Sequence, residues 1–306
     1  MSRDGRFAPS PTGHLHLGNL RTALLAWLFA RSQEGAFRMR VEDLDSSRVR
    51  PGLAERQLED LAAIGLDWDG EVVWQSERIP AYEQAMAGLQ RAGLVYPCFC
   101  TRAEIRAAAS APHGPAPEGA YPGTCRHLDE RSRAALLAAG RRPALRMRAG
   151  GARVEFEDAV HGRVRTDIDD FVLRRNDEVY AYNLAVVVDD AAQGIGEVVR
   201  GDDLLSSTGR QLHLAAALGL EAPTYAHVPL VLGRDGSRLA KRHASVTLRD
   251  MSAGRAMEWI SRSLGAAPAS RAAELLADFD RRAIPTAPSV YAPFDDAGGT
   301  RASAAV

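Results

Sequence analysis

The sequence predicts an α/β fold built on a parallel sheet and interrupted by an insertion of different texture. Three observations carry this. Strand-period and helix-period segments alternate over residues 1–95 and again over 178–264. Between them, residues 96–177 hold all three cysteines, a Pro/Gly/Ala-rich loop and several short strands with turn residues. The composition, 46% hydrophobic and 25% charged over 306 residues, is that of a globular chain long enough to bury a core.

In order, residues 5–13 read as a short strand running into a loop punctuated by Pro9, Pro11 and Gly13. A helix rich in Leu and Ala follows over 20–31. Then Phe37, Met39 and Val41 alternate with Arg38, Arg40 and Glu42, which is strand periodicity, and helices are expected near 52–64 and 80–92. Strand, loop, helix, strand, helix is the opening of a nucleotide-binding layer with its ligand at the strand ends. In the insertion, the loop 110–123 precedes a short helix at 129–139. Alternation returns with 178–190, a strand at 196–200, a helix at 204–218 and a strand at 226–232. A loop at 233–243 leads to a helix at 253–264. Residues 265–306, rich in Ala, Pro and Ser, are expected to be a weakly ordered or helical tail, and the chain has no internal repeats.

Thirty-eight Lys and Arg against thirty-nine Asp and Glu give a net charge of −1, so no chain-wide basic character advertises nucleic acid. Locally the balance differs. Arg126, Arg131, Arg133, Arg141, Arg142, Arg146 and Arg148 crowd one stretch with only Asp129 and Glu130 among them, the best surface for an RNA backbone. Thirty-seven of the cations are Arg and one is Lys, Lys241. A compact ammonium retained against that bias marks a site that needs it rather than a planar fork. The apolar run 23–30 lies between Arg21 and Arg31 and is too short for a membrane helix. Residues 1–6 have no apolar stretch of the secretory kind, so a cytoplasmic protein is expected.

Three segments carry chemistry. The run Pro9-Ser10-Pro11-Thr12-Gly13-His14-Leu15-His16-Leu17-Gly18 ends at a helix start, where free N–H groups and the positive dipole end make an anion site. His14 and His16 can donate to phosphate oxygens there, and Gly18 allows a flat base to approach the backbone. Cys98, Cys100 and Cys125 cannot pair off evenly and favour a local zinc site over a disulfide framework. Three thiolates need a fourth donor, for which His113 and His127 are available on general zinc preferences. The third segment is the loop 235–243 around Lys241.

Residues 6–18 resemble the first signature of class I aminoacyl-tRNA synthetases, in the form used by the glutamyl branch. Residues 235–243 are similar to the second, with Lys241 as its key lysine; Arg238 stands for the family's first lysine and Ala240 for its serine. The resemblance extends from about residue 5 to about 264, including Tyr182-Asn183-Leu184-Ala185 and Val199-Arg200-Gly201-Asp202-Asp203. It implies a Rossmann-type catalytic domain from 1–95 and 178–264, with an inserted zinc-binding, tRNA-contacting subdomain at 96–177. ATP would be held by His14, His16, Gly18, Asn19 and Lys241, with His14, His16 and Lys241 catalytic and Mg²⁺ arriving with ATP. Glutamate would be held by Arg6, Ala8, Ser10, Glu42, Tyr182 and Arg200. Glu42 would take the ammonium and the two arginines the carboxylates, without assigning which takes which. The resemblance also names Tyr121 as the fourth ligand of one structural zinc.

Only 64 residues follow Arg242, too few for the helical anticodon-binding half of a charging enzyme. The chain thus resembles the truncated paralogues within the branch, which implies tRNA-independent activation of L-glutamate and its transfer to queuosine in the anticodon of tRNA(Asp) by a monomer. A discriminating enzyme charging the tRNA 3′ end and a catalytically weak RNA-binding paralogue are the alternatives.

Overall fold

The computed structural model describes residues 2–109, 121–237, 239 and 246–292. The chain opens with β1 (Gly5–Phe7), α1 (Leu17–Arg31), β2 (Phe37–Val41), α2 (Leu53–Ala63), β3 (Val73–Trp74) and α3 (Ile79–Arg91). Next come β4 (Val95–Cys98), α4 (Arg102–Ala109), α5 (Glu130–Ala138), β5 (Ala144–Met147), β6 (Arg153–Asp158), β7 (Gly162–Asp167) and β8 (Val172–Arg174). The remainder is α6 (Tyr182–Ala192), β9 (Glu197–Gly201), α7 (Leu205–Leu218), β10 (Thr224–Val228), β11 (Val231–Leu232), α8 (Ala253–Ser263), α9 (Ala272–Leu276) and β12 (Ser289–Val290).

Strands β1, β2 and β3 pair in parallel in that order, and β9 pairs in parallel with β10. The Asp4 carbonyl accepts from the backbone N–H groups of Gly196 and Glu197 at 3.0 and 3.1 Å, which brings β9 alongside β1. Helix α1 is apolar all round, with Leu20, Leu24, Leu25 and Leu28 fully buried, as befits a helix packed between the strands and α8 and α9. Its Arg21 is equally buried. It donates NH1 to the Pro229 carbonyl at 2.9 Å and Nε to Ser263 Oγ at 3.1 Å, and burial pushes its guanidinium down to about 10.

Within 96–177, β4, β5 and β8 form an antiparallel sheet of their own. The β6–β7 hairpin instead joins the main layer, since Asp158 pairs in parallel with Tyr225 of β10. Among the described residues, no helix is long and apolar enough to cross a membrane.

Three element boundaries differ from the sequence-based expectation. The first helix starts at Leu17, three residues before the expected position, because His16 acts as its N-cap. The strand expected at 226–232 is two strands, since Pro229 offers no N–H to continue the ladder. The tail holds α9 and also β12, which pairs in parallel with β11.

Candidate active site

One cavity of about 960 Å³ lies where β1, β2 and β9 end. On one side it is lined by Arg6, Ala8, Ser10, Glu42, Tyr182 and Arg200, and on the other by His14, His16, Gly18 and Asn19. Every ATP- or glutamate-site residue singled out in the sequence therefore faces this cavity, except Lys241. That residue, with Arg238, Ala240 and His243, lies outside the described residues. Ser237 and Leu239 of the same loop do line the cavity.

The side lined by His14, His16, Gly18 and Asn19 is built by a reciprocal cap. His16 Nδ1 accepts from the Asn19 backbone N–H at 3.2 Å, and Asn19 Oδ1 accepts from the His16 backbone N–H at 3.2 Å. Burial lowers the His16 imidazole to about 4, so it is neutral at pH 7. With Nδ1 accepting, the ring's proton is on Nε2, and His16 acts as a neutral donor rather than a cation. Gly18 packs closely on this cap: a Cβ there would stand 3.0 Å from Cε1 and 3.1 Å from Nδ1 of His16, so the ring would have to give way. Gln57 on α2 braces the preceding loop by donating to the carbonyls of Ser10 at 3.0 Å and Gly13 at 2.6 Å. The far end of the lysine loop is fastened to the same helix start. The Leu17 N–H donates to the Val246 carbonyl at 2.9 Å, and Arg249 pairs with the buried Asp60 of α2.

The opposite wall is held by a buried charge network. Asp190 Oδ1 accepts from Arg40 NH1 at 2.7 Å and Arg6 Nε at 3.2 Å. Burial opposes ionisation of this carboxyl, but Arg6 and Arg40 hold it below the usual range. Glu42 lies 3.5 Å from Arg40; burial pushes its carboxyl up against the pull of Arg40 and Arg6. Among the described residues, the terminal nitrogens of Arg6 have no hydrogen-bond partner, which leaves them available to an anion in the cavity. Sequence reasoning missed Arg40, Gln57 and the anchoring role of Asp190. A charge at every second position of β2, with Arg40 among apolar neighbours, was the available signal.

The cysteine cluster is separate from this cavity. The Sγ atoms of Cys98, Cys100 and Cys125 lie within 4.8 Å of one another. Tyr121 Oη is 3.3 Å from Cys98 Sγ and 3.7 Å from Cys100 Sγ. Three thiols and a phenol converging from the end of β4, the residues just after it and the 121–125 turn form a donor set of the number and spacing that tetrahedral zinc accepts. His127 is exposed and outside the cluster, and His113 lies outside the described residues. Four of the seven clustered arginines serve this region's fold. Arg126 pairs with Asp170 at 2.6 Å, Arg141 donates to the Phe99 carbonyl at 2.7 Å, Arg146 lies 3.8 Å over the Tyr121 ring, and Arg148 lies 4.7 Å over Tyr96. Arg131 and Arg142 remain exposed.

The parallel layer and the cavity at its strand ends define the catalytic domain of a class I aminoacyl-tRNA synthetase, and the family model for tRNA synthetases class I (E and Q), catalytic domain, matches residues 4–257. Over 289 residues the chain is 60% identical to the glutamyl-Q tRNA(Asp) synthetase of Nocardia farcinica, covering 93% of this chain and 91% of that one. It is 48% identical over 304 residues to the protein of the same name from Symbiobacterium thermophilum, covering 93% and 94%. A crystal structure of glutamate-tRNA synthetase from Elizabethkingia anophelis superposes with a TM-score of 0.81 at 27% identity, covering 95% of this chain and 68% of that one. By identity and coverage, the chain belongs to the glutamyl-Q tRNA(Asp) synthetase family of these class I ligases.

Proposed function

We propose that the protein activates L-glutamate with ATP, without tRNA, and transfers glutamate from the adenylate to queuosine in the anticodon of tRNA(Asp). The observation that carries this reading is the single cavity that joins a two-arginine, one-carboxylate wall to a phosphate-directed helix start. Arg6 and Arg200 read the substrate carboxylates and Glu42 takes the ammonium, with Ala8, Ser10 and Tyr182 shaping the pocket. The reacting carboxylate attacks the α-phosphorus and expels pyrophosphate. The protein's part is to position the reactants and stabilise charge spreading over phosphoryl oxygens. His14, the Nε2–H of His16 and the N–H groups at the start of α1 face those oxygens, Gly18 and Asn19 admit the nucleotide, and Lys241 covers it. Mg²⁺ comes with ATP.

One zinc ion, held by Cys98, Cys100, Tyr121 and Cys125, ties the end of β4 to the 121–125 turn and takes no part in the reaction. Residues 96–177 then contact tRNA as a subdomain inserted between the catalytic segments 1–95 and 178–264, with Arg131 and Arg142 as its free cations. The enzyme works in the cytoplasm as a monomer.

Transfer of labelled glutamate to two tRNA pools tests the reading, one pool containing queuosine and one from cells unable to make it. Label on the queuosine pool alone is the expected result. Equal labelling of both pools overturns it in favour of 3′-end charging, and no label with no activation leaves a binding protein.

A further inference from the structure

The guanidinium of Arg200 is bracketed on three sides. Nε lies 3.0 Å from Nε2 of His227, NH1 donates to Tyr182 Oη at 3.2 Å, and NH2 donates to Thr208 Oγ1 at 2.8 Å. The first contact fixes the imidazole's tautomer, because an arginine N–H needs a lone pair to meet it. The His227 proton is therefore on Nδ1, which donates to Asp158 Oδ2 at 2.6 Å. Asp158 is itself held: its Oδ1 accepts from the backbone N–H groups of Val160 and His161, both at 3.0 Å. The side chains of Asp158 and His227 are fully buried, as is Thr208. Burial, assisted by Arg200 and opposed by Asp158, holds the His227 imidazole below the ordinary histidine range.

This chain joins distant parts of the fold. Asp158 ends β6, His227 lies in β10, and Arg200 lies in β9 at the cavity wall. A carboxylate is gripped by two parallel N–H bonds only when the arginine fork lies in its plane. An arginine on a strand end has several rotatable bonds with which to leave that plane, and a neutral imidazole at Nε removes that freedom.

We propose that Asp158 and His227 are positioning residues that fix the plane of the Arg200 guanidinium for a substrate carboxylate, with Thr208 holding its far nitrogen. The proposal rests on the glutamate reading of the cavity. Neither residue touches substrate. Asp158 sets the tautomer, His227 turns that into an acceptor, and Arg200 presents its remaining N–H groups in one orientation.

The test is ATP–pyrophosphate exchange at varied glutamate and varied ATP. His227→Phe keeps the ring that stacks on Tyr225 and removes the acceptor. Its KM for glutamate rises about tenfold or more, the range expected for a lost hydrogen bond to a charged group, while its KM for ATP is unchanged. His227→Gln, whose amide oxygen returns an acceptor to Arg200, recovers most of the loss. Thr208→Val removes the hydroxyl that accepts from NH2 and lies 3.0 Å from His227 Nε2; it shows the same selective rise, so the proposal stays testable where His227→Phe does not fold. An unchanged glutamate KM in folded His227→Phe or Thr208→Val overturns the proposal. So does an equal rise for ATP, or a Gln variant no better than Phe, each of which marks a packing role. A wild type without glutamate-dependent exchange overturns the reading of the cavity and the proposal with it, a result distinct from an active wild type with indifferent variants.

Discussion

Replacing Asp190 with Asn keeps the side chain's shape and one acceptor oxygen but removes the charge that sits between Arg40 and Arg6. Both cations are buried, Arg40 completely, so water cannot substitute for the lost carboxylate. Breaking a buried ion pair by removing one partner costs about 3–5 kcal/mol. Arg40 would retain Glu42 at 3.5 Å and Asp189 at 3.8 Å, and Gln193 would still accept from its NH1 at 2.7 Å. The loss is therefore expected near the lower end, about 3 kcal/mol in equilibrium urea unfolding at pH 7. The pH dependence has a definite sign. The folded-state pKa of Asp190 lies below its unfolded value of about 3.9, so its stabilisation is complete above about pH 4 and is lost as pH falls through the folded value. The gap between wild type and Asp190→Asn should then be constant from pH 5 to 7 and close as the pH is taken below 4. The variant should also bind glutamate more weakly, because Arg6 loses its anchor. A stability loss under about 1 kcal/mol at pH 7, or a gap that widens in acid, would refute the argument that this carboxylate is ionised and pairs with both arginines.

Gly18→Ala pushes a methyl group against the His16 ring, with Val231 Cβ only 3.3 Å away on another side, and so breaks the cap at the Asn19 N–H. About 1 kcal/mol of stability is lost and the KM for ATP rises while that for glutamate holds; an unaltered ATP KM counts against the neutral-donor role of His16. Metal analysis of the purified protein should return one zinc per chain, and Cys98→Ser should lose it. A wild type purified without zinc, or a serine variant that keeps it, removes the metal from the account. Lys241→Ala should abolish pyrophosphate exchange, and full activity in that variant would mean that the lysine loop has been misassigned.

Local features of the site were legible and distant ones were not. The segment 9–19 could be read because its loop, cap and helix start are contiguous, and β2 could be read from its period of two, though the role of Glu42 just beyond it came from the family resemblance. Tyr182 and Arg200 came from the family resemblance, since a single polar residue at a strand or helix end looks like any solvated one. The helix start was set three residues late because His is not among the preferred N-cap residues. Asp190 pairs with Arg6 across 184 positions and Arg40 across 150, and nothing in the sequence of an 11-residue helix distinguishes such an acid from a surface one. His227 and Asp158 escaped for the same reason. The arginine run 126–148 shows the same limit from the other side: its density reads as one charged surface, whereas Arg126, Arg141, Arg146 and Arg148 have partners around the cysteine cluster. A strand of two residues, as β12 is, carries no period at all.

The pairing of β12 with β11 bears on when the protein first becomes competent. The Ser289 N–H donates to the Leu230 carbonyl at 3.2 Å and the Tyr291 N–H to that of Leu232 at 2.8 Å, immediately before the lysine loop departs. A growing chain therefore exposes that loop's root long before its flanking strand exists. At about 5–20 residues per second, the ribosome needs roughly 3–12 s to supply the intervening stretch. During that interval the segments 9–18 and 235–243 are both made while the strand that pairs with β11 is not, so a nascent chain halted short of Ser289 carries both signatures with β11 unpaired on that side.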